Sequence, residues 1–217
     1  MHYANDHPVL WNLISNRASF GYTAGNNIVE NGDSVVVGQG SFSGPPYAYS
    51  PVPYSRVYYT TGIYFSLVCS GEIHGCVLDG LNLHHIMHIR DTGSGTTRLS
   101  GIHFKDGRAE GSYGGALTIE SALVSLKSCK FSSNQAYMGG AIFARASGTM
   151  VNLYTTSFVG NSATNSGEDI YSYDGGASVT VHSTCPPDWS GTPAAGSDLD
   201  IANYGTLSGT TKSFDIG

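Results

Sequence analysis

The chain has 217 residues, enough for one sizeable domain or two small ones. Only 12% of them are charged, about half the usual share of roughly 25%, while glycine reaches 29 and tyrosine 14; this leaves little room for long charged helices and favours short strands joined by glycine turns. A net charge of −6 with only 10 lysines and arginines lacks the basic footprint that nucleic acid needs, and no stretch approaches the ~20 apolar residues that span a bilayer.

The start, Met1 to Pro8, has neither a basic n-region nor an apolar h-region, so no signal peptide is visible. The chain is therefore either cytosolic or a piece of a longer secreted protein, and the second is favoured because the last repeats run into a tail with no obvious stop. Residues 1–27 are expected to cap an open end of the fold, with Leu10, Trp11, Leu13 and Ile14 covering exposed core. From Asn31 to Phe42 a turn, the strand Val35-Val36-Val37 and a second glycine-punctuated turn follow one another.

Between Pro45 and Tyr59 stand four prolines and five tyrosines. A stiff projecting loop would present Tyr47, Tyr49, Tyr54, Tyr58 and Tyr59 as flat, pre-ordered rings for a sugar or a protein partner. The competing reading folds the loop back so that its rings cover core.

Cys69 and Cys76 are close enough in sequence to close a small loop, leaving Cys129 and Cys185 as a second pair or Cys129 as a buried thiol. No C-x-x-C spacing points to zinc, and no cofactor is indicated. In His84-His85-Ile86-Met87-His88 the local pattern is strand, where positions 84 and 88 share a side but stand about 13 Å apart. The histidines, with His74 and His103 nearby, are expected to face outward or lie in loops without a metal.

The repeats come next. Gly114-Gly115-Ala116-Leu117 precedes Phe131-Ser132-Ser133-Asn134, and Gly139-Gly140-Ala141-Ile142 precedes Phe158-Val159-Gly160-Asn161. The phenylalanines lie 27 residues apart (131 to 158) and the glycine pairs 25 (114 to 139), a period that marks a solenoid. An eroded third copy begins at Gly167-Glu168-Asp169-Ile170. Val124 and Leu126 fall over Val151 and Leu153, and Val179 and Val181 continue the column. Leu117, Ile142 and Ile170 form a second column. Leu81-Asn82-Leu83 is laid over Ile102-His103-Phe104, and that over Cys129-Lys130-Phe131 and Thr156-Ser157-Phe158. Phe104, Phe131, Phe158, Leu126 and Leu153 are thus predicted core, and Asn134 and Asn161 a stacked amide pair. Glu120 and Arg145 are expected to face outward as an ion pair one coil apart.

The opening Gly-Asp followed by three apolar residues and a glycine turn, with Val77-Leu78-Asp79-Gly80 downstream, resembles the first coils of right-handed parallel β-helices of the pectin-lyase-like superfamily. The Gly-Gly-Ala-Ile and Phe-x-x-Asn pairs resemble repeats of polymorphic outer-membrane proteins. The resemblance implies an all-β right-handed parallel β-helix of six or seven coils, in one domain over 1–217, with coils over 28–187 and a C-terminal wrap or cap over 188–217.

It also brings polysaccharide lyases and hydrolases into view, which work with clustered carboxylates. Asp79 would begin such a stack, but its partners in the alignment above are Ser100, Ser128 and Thr155, so no catalytic residue is expected. Threonine pairs raise ice binding as a more distant reading, but they form no array. The expectation is a non-catalytic extracellular or cell-surface module in contact with a glycan or another surface protein, as part of a longer chain or assembly.

Overall fold

The computed structural model describes residues 1–5, 10, 29–43, 56–173, 176–182, 201–203 and 206–209. After β1 (His2–Ala4), the strands recur in a fixed order. The first turn lays down β2 (Ser34–Val37), β3 (Gly40–Ser43) and β4 (Arg56–Thr61), and the second β5 (Ser66–Cys69), β6 (Cys76–Asp79) and β7 (His85–Arg90). The third turn has four strands: β8 (Thr96–Ser100), β9 (Ile102–Lys105), β10 (Arg108–Tyr113) and β11 (Leu117–Glu120). So have the fourth, with β12 (Leu123–Lys127), β13 (Lys130–Ser132), β14 (Gln135–Met138) and β15 (Ile142–Arg145), and the fifth, with β16 (Met150–Tyr154), β17 (Ser157–Val159), β18 (Ser162–Ser166) and β19 (Ile170–Ser172). Finally come β20 (Ser178–His182), β21 (Ile201–Asn203) and β22 (Thr206–Gly209).

Every strand pairs in parallel with its counterpart one turn away. The result is an all-β parallel solenoid of about five turns, somewhat fewer than the six or seven expected. Its sheets run in the orders β1-β2-β5-β8-β12-β16-β20-β22 (sheet A), β3-β6-β9-β13-β17 (sheet B), β4-β7-β11-β15-β19-β21 (sheet C) and β10-β14-β18 (sheet D). Sheet D begins only at the third turn.

The core is three stacked columns, one from each long sheet. Sheet A contributes Val35, Leu67, Leu99, Leu126, Leu153 and Val181. Sheet B contributes Phe42, Leu78, Phe104, Phe131 and Phe158, and sheet C contributes Tyr58, Met87, Leu117, Ile142 and Ile170. Strand alternation dictates this: each inward residue is followed by an outward one, and parallel register repeats the choice on the next turn. Phe104, Phe131 and Phe158 stack with ring centroids 4.8 and 5.1 Å apart and planes within 6° and 9°. Fully burying such a side chain is worth about 1.5–3 kcal/mol.

Beside that stack runs a file of amides. Asn134 Nδ2 donates to Asn161 Oδ1 at 2.9 Å, and Asn161 Nδ2 donates to Asp169 Oδ1 at 2.8 Å. Each asparagine also holds backbone: Gly107 N–H donates to Asn134 Oδ1, and the Asn134 and Asn161 amides donate to Phe104 O and Phe131 O. The glycine pair has a division of labour. Gly139 adopts φ 63°, the left-handed region, while a Cβ on Gly140 would stand 2.2 Å from Glu168 O of the next turn. In the eroded copy Gly167 keeps the positive φ, at 68°.

Several expectations need correction. Leu81-Asn82-Leu83 is not a strand: Leu81 and Asn82 have φ 54° and 55°, and both leucines are exposed. The strand of that turn is β6, with Cys76 opposite Ile102 and Leu78 opposite Phe104. His103 therefore lies over Val77, not Asn82, and Asp79 lies beside Ser43 and Lys105 rather than over Ser100. Asp79 accepts from the Leu81 N–H at 2.8 Å, the local turn bond that lets aspartate close such a corner. Cys69 and Cys76 form a disulfide with Cα atoms 5.6 Å apart, and Cys129 is a buried free thiol. Of the predicted N-terminal cap, β1 adds to the edge of sheet A and Leu10 is fully buried; Trp11, Leu13 and Ile14 lie outside the described residues, as does Cys185. In the predicted C-terminal wrap, β21 and β22 extend sheets C and A.

Candidate functional site

The outer face of sheet C carries two rows that run along the solenoid. Register aligns Tyr59, His88, Thr118, Phe143 and Tyr171 in one, and Thr61, Arg90, Glu120 and Arg145 in the other. The first row is aromatic except at Thr118. There Tyr113, from the end of β10, takes the missing place: its ring stacks on Phe143 at 4.4 Å and 17°, and Thr118 Oγ1 donates to the Tyr113 carbonyl at 3.0 Å. Phe143 in turn stacks on Tyr171 at 5.8 Å.

A difference in connection length opens a cavity next to this ring. In the second turn, residues 80–84 lead directly from β6 to β7. In the third, residues 106–116 bridge the same corner and include β10. Sheet D thus starts as a step, anchored where Arg108 N–H donates to His84 O at 2.9 Å. The register of β10 against β14 breaks between Ala109 and Tyr113, and such bulges re-aim side chains. Against the step lies a pit of about 190 Å³, with His85 and His88 from β7, Ala109, Ser112 and Tyr113 from β10, Thr118 from β11 and Arg145 from β15. His85, His88, Ala109 and Thr118 are buried, whereas Tyr113 is 38% exposed.

Charges beside the pit are tied down. Glu120 Oε2 receives Arg145 Nη2 at 3.0 Å, His88 Nε2 at 3.4 Å and Arg90 Nε at 3.9 Å. Arg90 also meets Asp91 at 3.0 Å and hydrogen-bonds the Tyr59 hydroxyl. The Tyr59 bond, then Glu120 and Asp91, push the Arg90 pKa above its ordinary value. Glu120 is thus the carboxylate of a stacked ion cluster, one more partner-rich than the simple pair with Arg145 expected from sequence. Both ring nitrogens of His88 are closed to solvent, and its ring packs edge-on to Tyr59 at 4.9 Å.

The predicted tyrosines do not form a site together. Tyr58 is a fully buried core residue, which pushes its phenol pKa well up, and Tyr59 is 6% exposed against His88; neither presents a face for stacking. Tyr47, Tyr49 and Tyr54 lie outside the described residues. Of the histidine run, His85 and His88 line the pit, and among the described residues no group of three His, Cys, Asp or Glu side chains is arranged to hold a metal ion. Sequence reading missed Tyr113, Ser112 and Thr118. The available signal was Thr118 against Phe143 in the aligned glycine-pair repeats, with Tyr113 immediately before the first pair.

The chain matches no family model, no curated protein and no solved structure.

Proposed function

We propose that this protein is a non-catalytic surface module, a rigid solenoid that contacts glycan through the pit beside Tyr113. The observation that carries this is the Tyr113 ring, braced on one face by Phe143 and bordering a pit with the Arg145 guanidinium and the Ser112 hydroxyl. An apolar ring with a few fixed polar groups around it suits a sugar, whose C–H face stacks while its hydroxyls bond. The solenoid supplies rigidity, because β7, β11 and β15, which carry His88, Thr118 and Arg145, pair in continuous register. The Cys69–Cys76 disulfide supports an extracellular or cell-surface setting, where such bonds persist.

Polysaccharide cleavage finds less support. It calls for a pair of carboxyl groups about 5–9.5 Å apart across the scissile bond, whereas the lining of the pit carries none and the adjacent Glu120 is held by Arg145, Arg90 and His88. The test is a glycan array with the intact protein, followed by Tyr113→Ala and Arg145→Ala, and an assay for new reducing ends on each bound glycan. Binding lost in both variants without product supports a contact module. Turnover, or binding that neither variant alters, would overturn it.

A further inference from the structure

We infer that the pit accepts one terminal sugar ring of a neutral glycan, so that the protein recognises chain ends and not internal stretches. This rests on the glycan-contact reading and goes beyond it in naming the part of the glycan that is bound.

Three features lead there. The first is size: about 190 Å³ falls below the roughly 300 Å³ at which pockets for drug-sized ligands begin, so room exists for a single ring. The second is the shape of the walls. His85, His88, Ala109 and Thr118 are 5%, 3%, 3% and 7% exposed and form a floor, while Tyr113 at 38% stands at the rim. Buried side chains beneath an exposed rim give the pit depth. The third is what closes the pit along the solenoid axis. On one side lies the Tyr113–Phe143–Tyr171 stack, and on the other the Tyr59–His88 contact. A polymer laid along the axis would meet the edges of rings whose faces already cover one another. With one face on Phe143, Tyr113 has only its other face and its edge to offer, which is one stacking place.

Chemistry sets the neutral class. The guanidinium that borders the pit is paired with Glu120 at 3.0 Å, Glu120 also meets Arg90, and Arg90 meets Asp91, so the two guanidiniums are matched by two carboxylates. Ser112 and the free donors of Arg145 then serve sugar hydroxyls.

The experiment uses the full chain on an array of neutral oligosaccharides linked through their reducing ends. Members are paired so that two share every internal residue and differ only in the terminal sugar. Binding that follows the terminal sugar, stays level as the chain is lengthened, and is fully displaced by the free methyl glycoside of that sugar is the expected result. Ser112→Phe, which plugs the mouth from a half-buried position, should abolish binding, and its thermal melt is compared with the parent to show that it folds. Tyr113→Ala gives the same loss by removing the platform. Binding that follows internal sequence, or that the methyl glycoside fails to displace, overturns the chain-end inference and leaves glycan contact standing. An array with no bound member removes both.

Discussion

Glu120 and Arg145 stand opposite each other on neighbouring turns, and Arg145 Nη2 donates to Glu120 Oε2 at 3.0 Å. The arginine side chain is 39% exposed and the glutamate 14%, so the pair sits at the boundary between surface and pit. Its energetic worth to the fold is small, since exposed pairs contribute about 0–1 kcal/mol. Its worth to the site is positional, because it fixes where the remaining donors of Arg145 stand.

Glu120→Gln should therefore lower unfolding stability by no more than about 1 kcal/mol while weakening glycan binding. Denaturant titration and array binding on the same preparation separate the two. Unchanged binding in a variant of unchanged stability would remove Glu120 as a positioning residue.

Asn161→Ala should cost far more than its surface counterparts. The side chain is 7% exposed, donates to Phe131 O and Asp169, and accepts from Asn134. Leaving a buried polar group without its partner costs about 1–3 kcal/mol, and here more than one partner is stranded. The midpoint of chemical denaturation measures it; a variant as stable as the parent would show that the amide file is dispensable.

Reducing the Cys69–Cys76 bond should lower stability by about 2 kcal/mol, the small end of the usual range, because the closed loop is short. For a chain of this size that corresponds to roughly 4–8 °C in Tm. Paired melts with and without reductant check it. Cys129 stays out of the exchange: burial pushes its thiol up to about 12, so alkylation at neutral pH should label it only after unfolding.

Acidification should weaken the fold as the pH falls below the ordinary histidine range. Burial, reinforced by Lys130, lowers the His103 pKa from 6.5 to about 4, and burial lowers that of His74 in the same direction. The folded protein thus holds these imidazoles neutral over a range in which the unfolded chain protonates them. Their contribution is complete above the unfolded value of 6.5 and is lost as pH falls from there towards 4. Partial exposure keeps the effect below what the bare shift would imply. Below that window Asp33 follows: its carboxyl is held down by the Glu30 N–H and by His2, and its protonation below 3.8 releases the clasp between β1 and β2. Urea midpoints at pH 7 and pH 5 should differ, and His103→Gln should narrow the gap. Equal midpoints in the parent would contradict the depressed histidines.

Much of the solenoid was legible in the chain, and the reason lies in the repeats themselves. Phe131 and Phe158, Val124 and Val151, and Leu117 and Ile142 are spaced by the length of a turn, so aligning the copies aligns the sheets. The alignment failed where the turn length changed. Between Asp79 and His85 the corner is made by residues 80–84 alone, and apolar Leu81 and Leu83 in that corner mimic a strand although their backbone bends outward. The step that begins sheet D follows from the same change in length, and with it the pit. A cavity formed by a missing strand leaves no motif to read. Tyr113 left a fainter trace: its stacking on Phe143 fills a place that register assigns to Thr118, which shows only where the aligned repeats set Thr118 against Phe143.

The file of amides has a polarity as well as a strength. From Gly107 through Asn134 and Asn161 each side-chain carbonyl accepts from the preceding turn. The Asn134 NH₂ donates back to Phe104 O and on to Asn161, and the Asn161 NH₂ donates back to Phe131 O and, within its own turn, to Asp169 Oδ1. Hydrogen bonds thus pass from Asn134 to Asn161 along the axis, and Asp169 Oδ1 accepts the last of them. An asparagine both gives and takes hydrogen bonds and can pass the pattern on; an ionised aspartate only takes. Asp169 stands where the preceding glycine-pair repeat has Ala141, so the acceptor that closes the file comes from the opposite corner of Asn161's own turn and gives the row of amides a direction.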